Sequence, residues 1–510
     1  MTLGVLLQAF ADRSGVPVPP LEGAADTTVS SISYDSRKVR AGSVFVALRG
    51  VQADGAAFAR DAISRGAVAA LSESPAPADV RVAWVRVPDA RMALAALAAI
   101  FNGDPSERLI LVGITGTNGK TTTAYLLASV FEAAGIACGR LGTVGYRIGR
   151  KEIEAERTTP EATELQSMLR DMVTQGCGAC VMEVSSHALA LKRVEYLRFA
   201  AAIFTNLTRD HLDFHRNMDD YFAAKRRLFE LLPDGAVAVI NLDDRRGAEL
   251  TLAMKRSITY AIDAAADVTP SNLKSSLDGL ELDVSTPRGQ VHIDSRLVGR
   301  ANTYNILATV AAAAALDLPL KAIESGIAAL TAVPGRFQLV SDLRDDVRVV
   351  VDYAHTDDAL KNLLETARPL ATGRIITVFG CGGDRDRTKR PLMGAVAARL
   401  SDLVVVTSDN PRSEDPTEII EQIKRGIVSP DDRSGGRVRP RPKETRCIAI
   451  VDRKEAIERA VREALPGDLI LIAGKGHEKY QVIGERVLPF DDVEVARTAL
   501  ERRRAGTRVC

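Results

Sequence analysis

No uninterrupted apolar stretch in this chain approaches the ~20 residues that a membrane-spanning helix requires. The opening segment, MTLGVLLQAFADRSG, has neither a basic region nor a cleavage site, so a cytoplasmic protein without membrane insertion is expected. Cysteine is sparse, six in 510 residues, which argues against a disulfide-stapled scaffold and suits a reducing compartment. Cys177 and Cys180 form a single C-x-x-C, and Cys180 opens an apolar strand, so an incidental pair is expected rather than a zinc or redox site. Cys381, in a glycine-rich turn, is read the same way. Neither sign of charge prevails: 67 Lys and Arg against 66 Asp and Glu leave a net charge of +1. Nothing electrostatic therefore favours nucleic acid or an anionic membrane as partner. Tandem repeats are also missing.

What remains is an ordinary globular composition, 46% hydrophobic and 26% charged, at a length that suggests about three domains. Residues 1–107 read as a small α/β domain, with a strand at Val44–Leu48, a helix at Ala56–Arg65 and a long Ala/Leu helix at Arg91–Ile100. The turn-rich run Asn102-Gly103-Asp104-Pro105 closes it. Residues 108–332 alternate strands (Leu109–Ile114, Cys180–Val184, Ala200–Thr205, Val237–Asn241, Ile258–Ile262) with helices, which implies a mostly parallel sheet. Short alternating runs over Leu277–Leu297 suggest an antiparallel addition. Residues 333–510 repeat the alternation, Rossmann-like, through Val349–Asp352, Ile375–Phe379, Leu403–Thr407, Cys447–Val451 and Leu469–Ala473. Ser429–Arg446 is polar and reads as an exposed insertion. The fold class is α/β in three domains: small N-terminal, central phosphate-loop and C-terminal Rossmann-like.

The most informative motif is Gly116-Thr117-Asn118-Gly119-Lys120-Thr121-Thr122, between an apolar strand and an amphipathic helix. Glycines let the loop curl so that N–H groups face phosphate oxygens. The helix N-terminus and Lys120 add positive charge, and the Thr121 hydroxyl can reach a magnesium ion. The general pattern places glycine where this chain has Ile114, so the loop belongs to a variant class.

In open parallel sheets ligands gather at the carboxyl ends of strands. One strand here ends in Glu183 and runs into Ser185-Ser186-His187, and the next leads to Asp210-His211-Leu212-Asp213-Phe214-His215. Glu183 and His211 suit magnesium or manganese beside a triphosphate. On the helix expected over Asp219–Leu232, Tyr221, Lys225, Leu228 and Leu232 share one face. A lysine on an apolar face either snorkels to water or is held inward, where burial favours a neutral amine able to take up carbon dioxide. Four further strand-end motifs follow: Asp352-Tyr353-Ala354-His355, Gly380-Cys381-Gly382-Gly383-Asp384-Arg385, Asp409-Asn410-Pro411-Arg412 and Gly474-Lys475-Gly476-His477-Glu478. Arg385, Asn410, Arg412 and Glu478 would suit a zwitterion, with guanidinium forks for carboxylate and Glu478 for ammonium.

Together GTNGKTT, MEVSSH, DHLDFH, AAKRRLF, GRANTYN, PGRFQ and DYAHT resemble the Mur ligases of peptidoglycan synthesis, over nearly the whole chain. The resemblance implies an ATP-dependent ligase working through an acyl phosphate, with Gly116 to Thr122, Asn302, Asn305, Arg336 and Asp352 on ATP. It implies Mg2+ on Thr121, Glu183, His211 and a carbamylated Lys225, with Lys120 catalytic. The motif at Asp409, Asn410, Pro411 and Arg412 resembles one that recognises meso-diaminopimelate, with Arg385, Gly474 and Glu478 beside it. Tyr34, Ser36, Gln52 and Ala53 would hold the uridine nucleotide, and Thr158, Thr159, Ser185 and Arg193 the muramoyl-dipeptide of UDP-N-acetylmuramoyl-dipeptide. Val51, Arg157, Leu191 and Asp357 depart from the family pattern. A monomer is expected. The alternatives are a folylpolyglutamate synthetase-like ligase, a lysine-adding relative and an ATP-dependent switch without ligase activity. The N-terminal segment and the Asp409–Arg412 motif argue against the first, and Arg412 argues against the second.

Overall fold

The computed structural model describes every residue except 22, 51–53, 343, 429–445 and 508–510. Three parallel-stranded sheets follow one another along the chain. The first has four parallel strands in the order Ser31–Ser33, Ser43–Ala47, Ala67–Ser72, Ala83–Arg86. Helices Leu3–Ser14 and Ala90–Asn102 cover one face with buried leucines and alanines. The expected helix at Ala56–Arg65 is shorter, a 3-10 turn Gly55–Phe58 followed by Ala59–Ser64. The chain hugs its own strand there: a Cβ on Gly55 would lie 2.5 Å from the Leu48 carbonyl oxygen.

The second sheet has eight strands, ordered Ser257–Tyr260, Val237–Asn241, Ala201–Phe204, Ile110–Thr115, Ala179–Glu183, Cys138–Leu141, Tyr146–Ile148, Lys151–Ile153. The first six are parallel, and the last two fold back antiparallel. From Ile110–Thr115 the chain winds to one side of the sheet, then crosses to the other. That reversal opens a crevice at the carboxyl end of the central strand. The Ala-rich helix Arg300–Ala315 lies flat on this sheet because Ala308, Ala311, Ala312 and Ala313 present only methyl groups. Helix Leu320–Ala329 touches the phosphate-loop helix backbone to backbone at Gly326, where a Cβ would sit 2.5 Å from Val130 Cα. The antiparallel addition is real and longer than expected: Thr269–Ser276, Gly279–Thr286 and Gly289–Ser295.

The third sheet orders Gln338–Leu339, Arg348–Asp352, Leu469–Ala473, Ile375–Phe379, Leu403–Val406 and Arg446–Ala449, with the last five parallel. Its central strands are predominantly apolar because helices cover both faces. A hairpin, Tyr480–Ile483 with Arg486–Pro489, follows the last central strand. Arg446 opens the edge strand, and the rest of the expected insertion lies outside the described residues. No helix among the described residues is long and apolar enough to cross a membrane.

Candidate active site

At the end of Ile110–Thr115 the chain turns through Gly116 (φ +149°) and Gly119 (φ +89°) into helix Lys120–Ala133. A Cβ on Gly116 would lie 1.9 Å from Thr205 Oγ1, and one on Gly119 2.4 Å from Asn305 Oδ1. Both positions therefore exclude side chains by space as well as by backbone conformation. Thr117 N–H donates to the Asn206 carbonyl (2.8 Å) and Asn118 N–H to Asn206 Oδ1 (2.9 Å), which pins the loop. The helix's first-turn amides have no intrahelical acceptor and make an anion cradle with the loop. Lys120 Nζ folds over this cradle and donates to the carbonyls of Gly116 (2.9 Å) and Thr117 (2.8 Å).

The Gly116 carbonyl receives a second lysine. Lys225, on helix Met218–Glu230, is 1% exposed and donates to the same oxygen at 2.7 Å. Its Nζ also stands over the Tyr221 ring, 4.4 Å from the centroid. The lysine is thus held inward, and the snorkelling alternative is overturned. Burial, aided by the Lys120 charge, pushes its pKa well below that of an ordinary lysine. Tyr221 and Leu228 share the buried face, whereas Leu232 lies beyond the helix.

Glu183 ends the neighbouring strand, 1% exposed, and accepts from Thr143 N–H (2.9 Å) and Thr143 Oγ1 (3.0 Å). His211 has a left-handed backbone (φ +54°) on the loop after Ala201–Phe204. Desolvation is the largest influence on it and lowers its pKa to about 4, with His187 and both lysines adding to the shift, so the ring is neutral at physiological pH. His187 stacks edge-on against it, with centroids 4.8 Å apart. Among the described residues no three His, Cys, Asp or Glu side chains converge as a ready-made metal cluster. A hard carboxylate, a neutral imidazole and the Thr121 hydroxyl nevertheless form a donor set that fits a divalent cation sharing phosphate oxygens.

The mouth beside Glu183 is knitted by the residues expected at the dipeptide. Thr158 Oγ1 lies 3.0 Å from Thr143 Oγ1, and Thr159 Oγ1 donates to the Glu183 carbonyl at 2.9 Å. Ser185 N–H donates to Thr159 Oγ1 (3.1 Å), while Ser185 Oγ caps the short helix Ser186–Ala190. Arg193 donates to Glu161 (3.0 Å) and to the Thr159 carbonyl (3.1 Å). From the first segment Tyr34 OH reaches Glu164 at 3.2 Å, and buried Ser36 starts a 3-10 turn capped by Asp35. Gln52, Ala53 and the departing Val51 lie outside the described residues.

The third segment reaches the phosphate loop through Arg336, whose Nη2 donates to Thr121 Oγ1 at 3.3 Å while its guanidinium stacks over Tyr353, 4.6 Å from the ring centroid. Asp352 accepts from Phe337 N–H (2.7 Å) and Ala354 N–H (2.8 Å), and burial raises its pKa. Asn302 and Asn305 are bonded to each other at 3.0 Å on the helix behind Gly119. Along the same carboxyl edge of the third sheet Asn410 Nδ2 donates to Glu478 Oε2 at 2.8 Å, and Arg412 Nη1 donates to the Gly383 carbonyl at 2.7 Å. Arg412 Nη1 and Arg385 Cγ both lie near the position a Gly382 Cβ would take, so the two cationic side chains flank one turn. Gly474 (φ +115°) packs on Asp409, and Pro411 is buried behind them.

Three family models cover most of the chain: Mur ligase family, catalytic domain, over 28–102; Mur ligase middle domain over 114–313; and Mur ligase, glutamate ligase domain, over 335–476. The chain belongs to the Mur ligase family. A UDP-N-acetylmuramoyl-L-alanyl-D-glutamate–2,6-diaminopimelate ligase of Geobacter sulfurreducens is 48% identical over 500 residues, covering 96% of this chain and 98% of that protein. A solved structure of a ligase of the same name is 34% identical with a TM-score of 0.69, covering 99% of both chains. Mycobacterium tuberculosis folylpolyglutamate synthase, at 17% identity and a TM-score of 0.61 over 80% of this chain and 95% of that one, shares the fold alone.

In this Mur ligase the expected residues of the second and third segments fall into three groups, one around Gly116, one around Glu183 and one around Asn410, while Tyr34 and Ser36 stand apart on the first segment. Sequence reasoning missed Thr143, which bonds both Glu183 oxygens from a Gly142–Thr143 turn with no recognisable signature. It also passed over Lys475, although the motif containing it was noticed. Cys177 and Cys180 are free, buried core residues, and Cys381 packs on Met393 with its thiol raised to about 12 by burial. The departing Asp357 starts helix Asp357–Ala367 behind the Thr356 cap, where an acid favours the helix dipole.

Proposed function

We propose that this chain joins meso-diaminopimelate to the D-glutamate carboxyl of UDP-N-acetylmuramoyl-L-alanyl-D-glutamate, forming ADP and phosphate. Residues 1–107 would hold the uridine nucleotide, 108–332 ATP and 333–510 the amino acid, in a cytoplasmic monomer. A carboxylate is a poor acyl donor because oxide is a poor leaving group. Its oxygen attacks the γ-phosphorus of ATP, the bond to the β-γ bridging oxygen breaks, and ADP leaves. The diaminopimelate amine then attacks the acyl carbon of the acyl phosphate, loses a proton and expels phosphate, leaving an amide.

The loop amides and Lys120 would offset charge on the moving phosphoryl group. Thr121, Glu183 and His211 would hold Mg2+, which when bound neutralises phosphate charge. Lys225, as a neutral amine, would carry a carbamate whose oxygens add to that donor set. Thr158, Thr159, Ser185 and Arg193 would orient the muramoyl-dipeptide, the acyl donor, and Asn302, Asn305, Arg336 and Asp352 would face ATP. Arg385, Asn410, Arg412, Gly474 and Glu478, with Asp409 and Pro411 shaping their turn, would read the distal end of diaminopimelate.

The observation that carries this reading is the Gly116 carbonyl shared by Lys120 and the buried Lys225. Two lysines on one acceptor repel unless one is neutral or converted to an anion, and carbamylation does the latter. The test is phosphate release with UDP-N-acetylmuramoyl-dipeptide and a panel of amino acids. Release should require ATP, the dipeptide and diaminopimelate together, and lysine in place of diaminopimelate should fail. Arg412→Ala should lower kcat/KM for diaminopimelate by a factor equivalent to about 2–5 kcal/mol while leaving ATP binding intact. Release without an amine would point to an ATP-driven switch.

A further inference from the structure

Lys475 is the one lysine of the third segment that reaches 0% exposure among the described residues. Its Nζ donates to Asn410 Oδ1 at 2.9 Å and to Glu478 Oε2 at 3.3 Å, and lies 3.6 Å from Asp409 Oδ1. The Tyr480 ring closes the remaining side, its centroid 5.8 Å away. One buried ammonium thus ties together three side chains from two different strand ends.

Asn410 Oδ1 also accepts from Val482 N–H at 3.0 Å, so both of its lone pairs are committed to donors. That commitment fixes which way the amide faces. Nδ2 must then point at Glu478, where it donates to Oε2 at 2.8 Å, and its second hydrogen is left for a carboxylate oxygen. On Glu478 both contacts fall on Oε2, leaving Oε1 to accept from an ammonium. Without the lysine, two carboxylates would face one amide in a desolvated crevice, and neither the amide orientation nor the glutamate rotamer would be defined.

We infer that Lys475 is a positioning residue for amino-acid selection: it sets Asn410 as a donor and Glu478 as an acceptor, so that the site takes an α-amino acid head, carboxylate and ammonium together. This deepens the proposed function and rests on its assignment of Glu478 to the distal ammonium. Lys475 itself touches no substrate.

The test compares diaminopimelate with 2-aminopimelate, which keeps the attacking amine and the distal carboxylate but lacks the distal ammonium. Wild-type enzyme should prefer diaminopimelate strongly in kcat/KM. In Lys475→Met the ratio should fall by about tenfold or more, because a site built to pair a polar group loses its discrimination when the pairing geometry is lost. The KM for ATP should stay within about twofold of wild type. Lys475→Arg, which keeps the charge, should retain most of the preference. A purely structural role would depress both amines equally, and an unchanged ratio in Lys475→Met would overturn the proposal. Failure of both variants to fold would assign the lysine to the core and overturn it as well. Equal use of the two amines by the wild-type enzyme would instead refute the Glu478 assignment on which it rests.

Discussion

Lys225 is where a single residue matters most. Its sequence position on an apolar helix face left two conformations open, and packing chose between them. The helix Met218–Glu230 lies against the central strand, so the side chain can reach the Gly116 carbonyl but not water. A buried lysine facing another lysine gains by losing its charge, which is the condition for carbamate formation. Lys225→Ala should be nearly inactive, and added short carboxylic acids should partly restore turnover by supplying the missing oxygens. Full activity in Lys225→Ala would remove the carbamate from the mechanism. The glycines of the loop were legible for a simpler reason: a positive φ and the absence of room for a Cβ are both recorded directly in residue type.

Among the elements, the turn from Gly380 to Arg385 is braced by a partner far along the chain. Arg390 is 0% exposed and pairs with Glu414, 11% exposed, at 2.9 Å, and Glu414 also accepts from Asp384 N–H at 2.7 Å. Hydrogen bonds from Arg390 lower the Glu414 carboxyl to about 2. Because the folded value lies below that of an unfolded glutamate, ~4.3, this stabilisation is complete above that pH and is lost as pH falls through about 2. Glu414→Gln should cost about 3 kcal/mol at neutral pH by stranding a buried guanidinium. It should also flatten the acid limb, which urea unfolding at stepped pH would read. An unchanged acid limb would show that the pair does not govern it. The strands and helices of this region were legible in apolar run lengths and turn residues. Two hairpins, one in the central sheet and one in this region, were not, since Tyr146–Ile153 and Tyr480–Pro489 are short, mixed in polarity and defined by pairing partners.

Across the whole molecule the decisive contact spans 215 positions: Arg336 to Thr121. It brings a cation from the third segment onto the hydroxyl expected to share the ATP-bound metal. Arg336→Ala should raise the KM for ATP about tenfold, the scale of a charge-assisted contact, without moving the thermal midpoint. An unchanged KM would confine the arginine to its stack on Tyr353. The first segment is tied in separately, through Lys192 to Asp89 and Tyr34 to Glu164. Both contacts join residues that no local pattern pairs.

By itself the sequence determined the alternation of strand and helix, the phosphate loop and the residue types at each strand end. These depend on local periodicity and on backbone conformations that few residues tolerate. Only the tertiary structure decided that Lys225 faces inward, that Thr143 clasps Glu183 and that Lys475 reaches Asn410. Those are distances between segments far apart in the chain, and they exist only once burial has removed water as the competing partner.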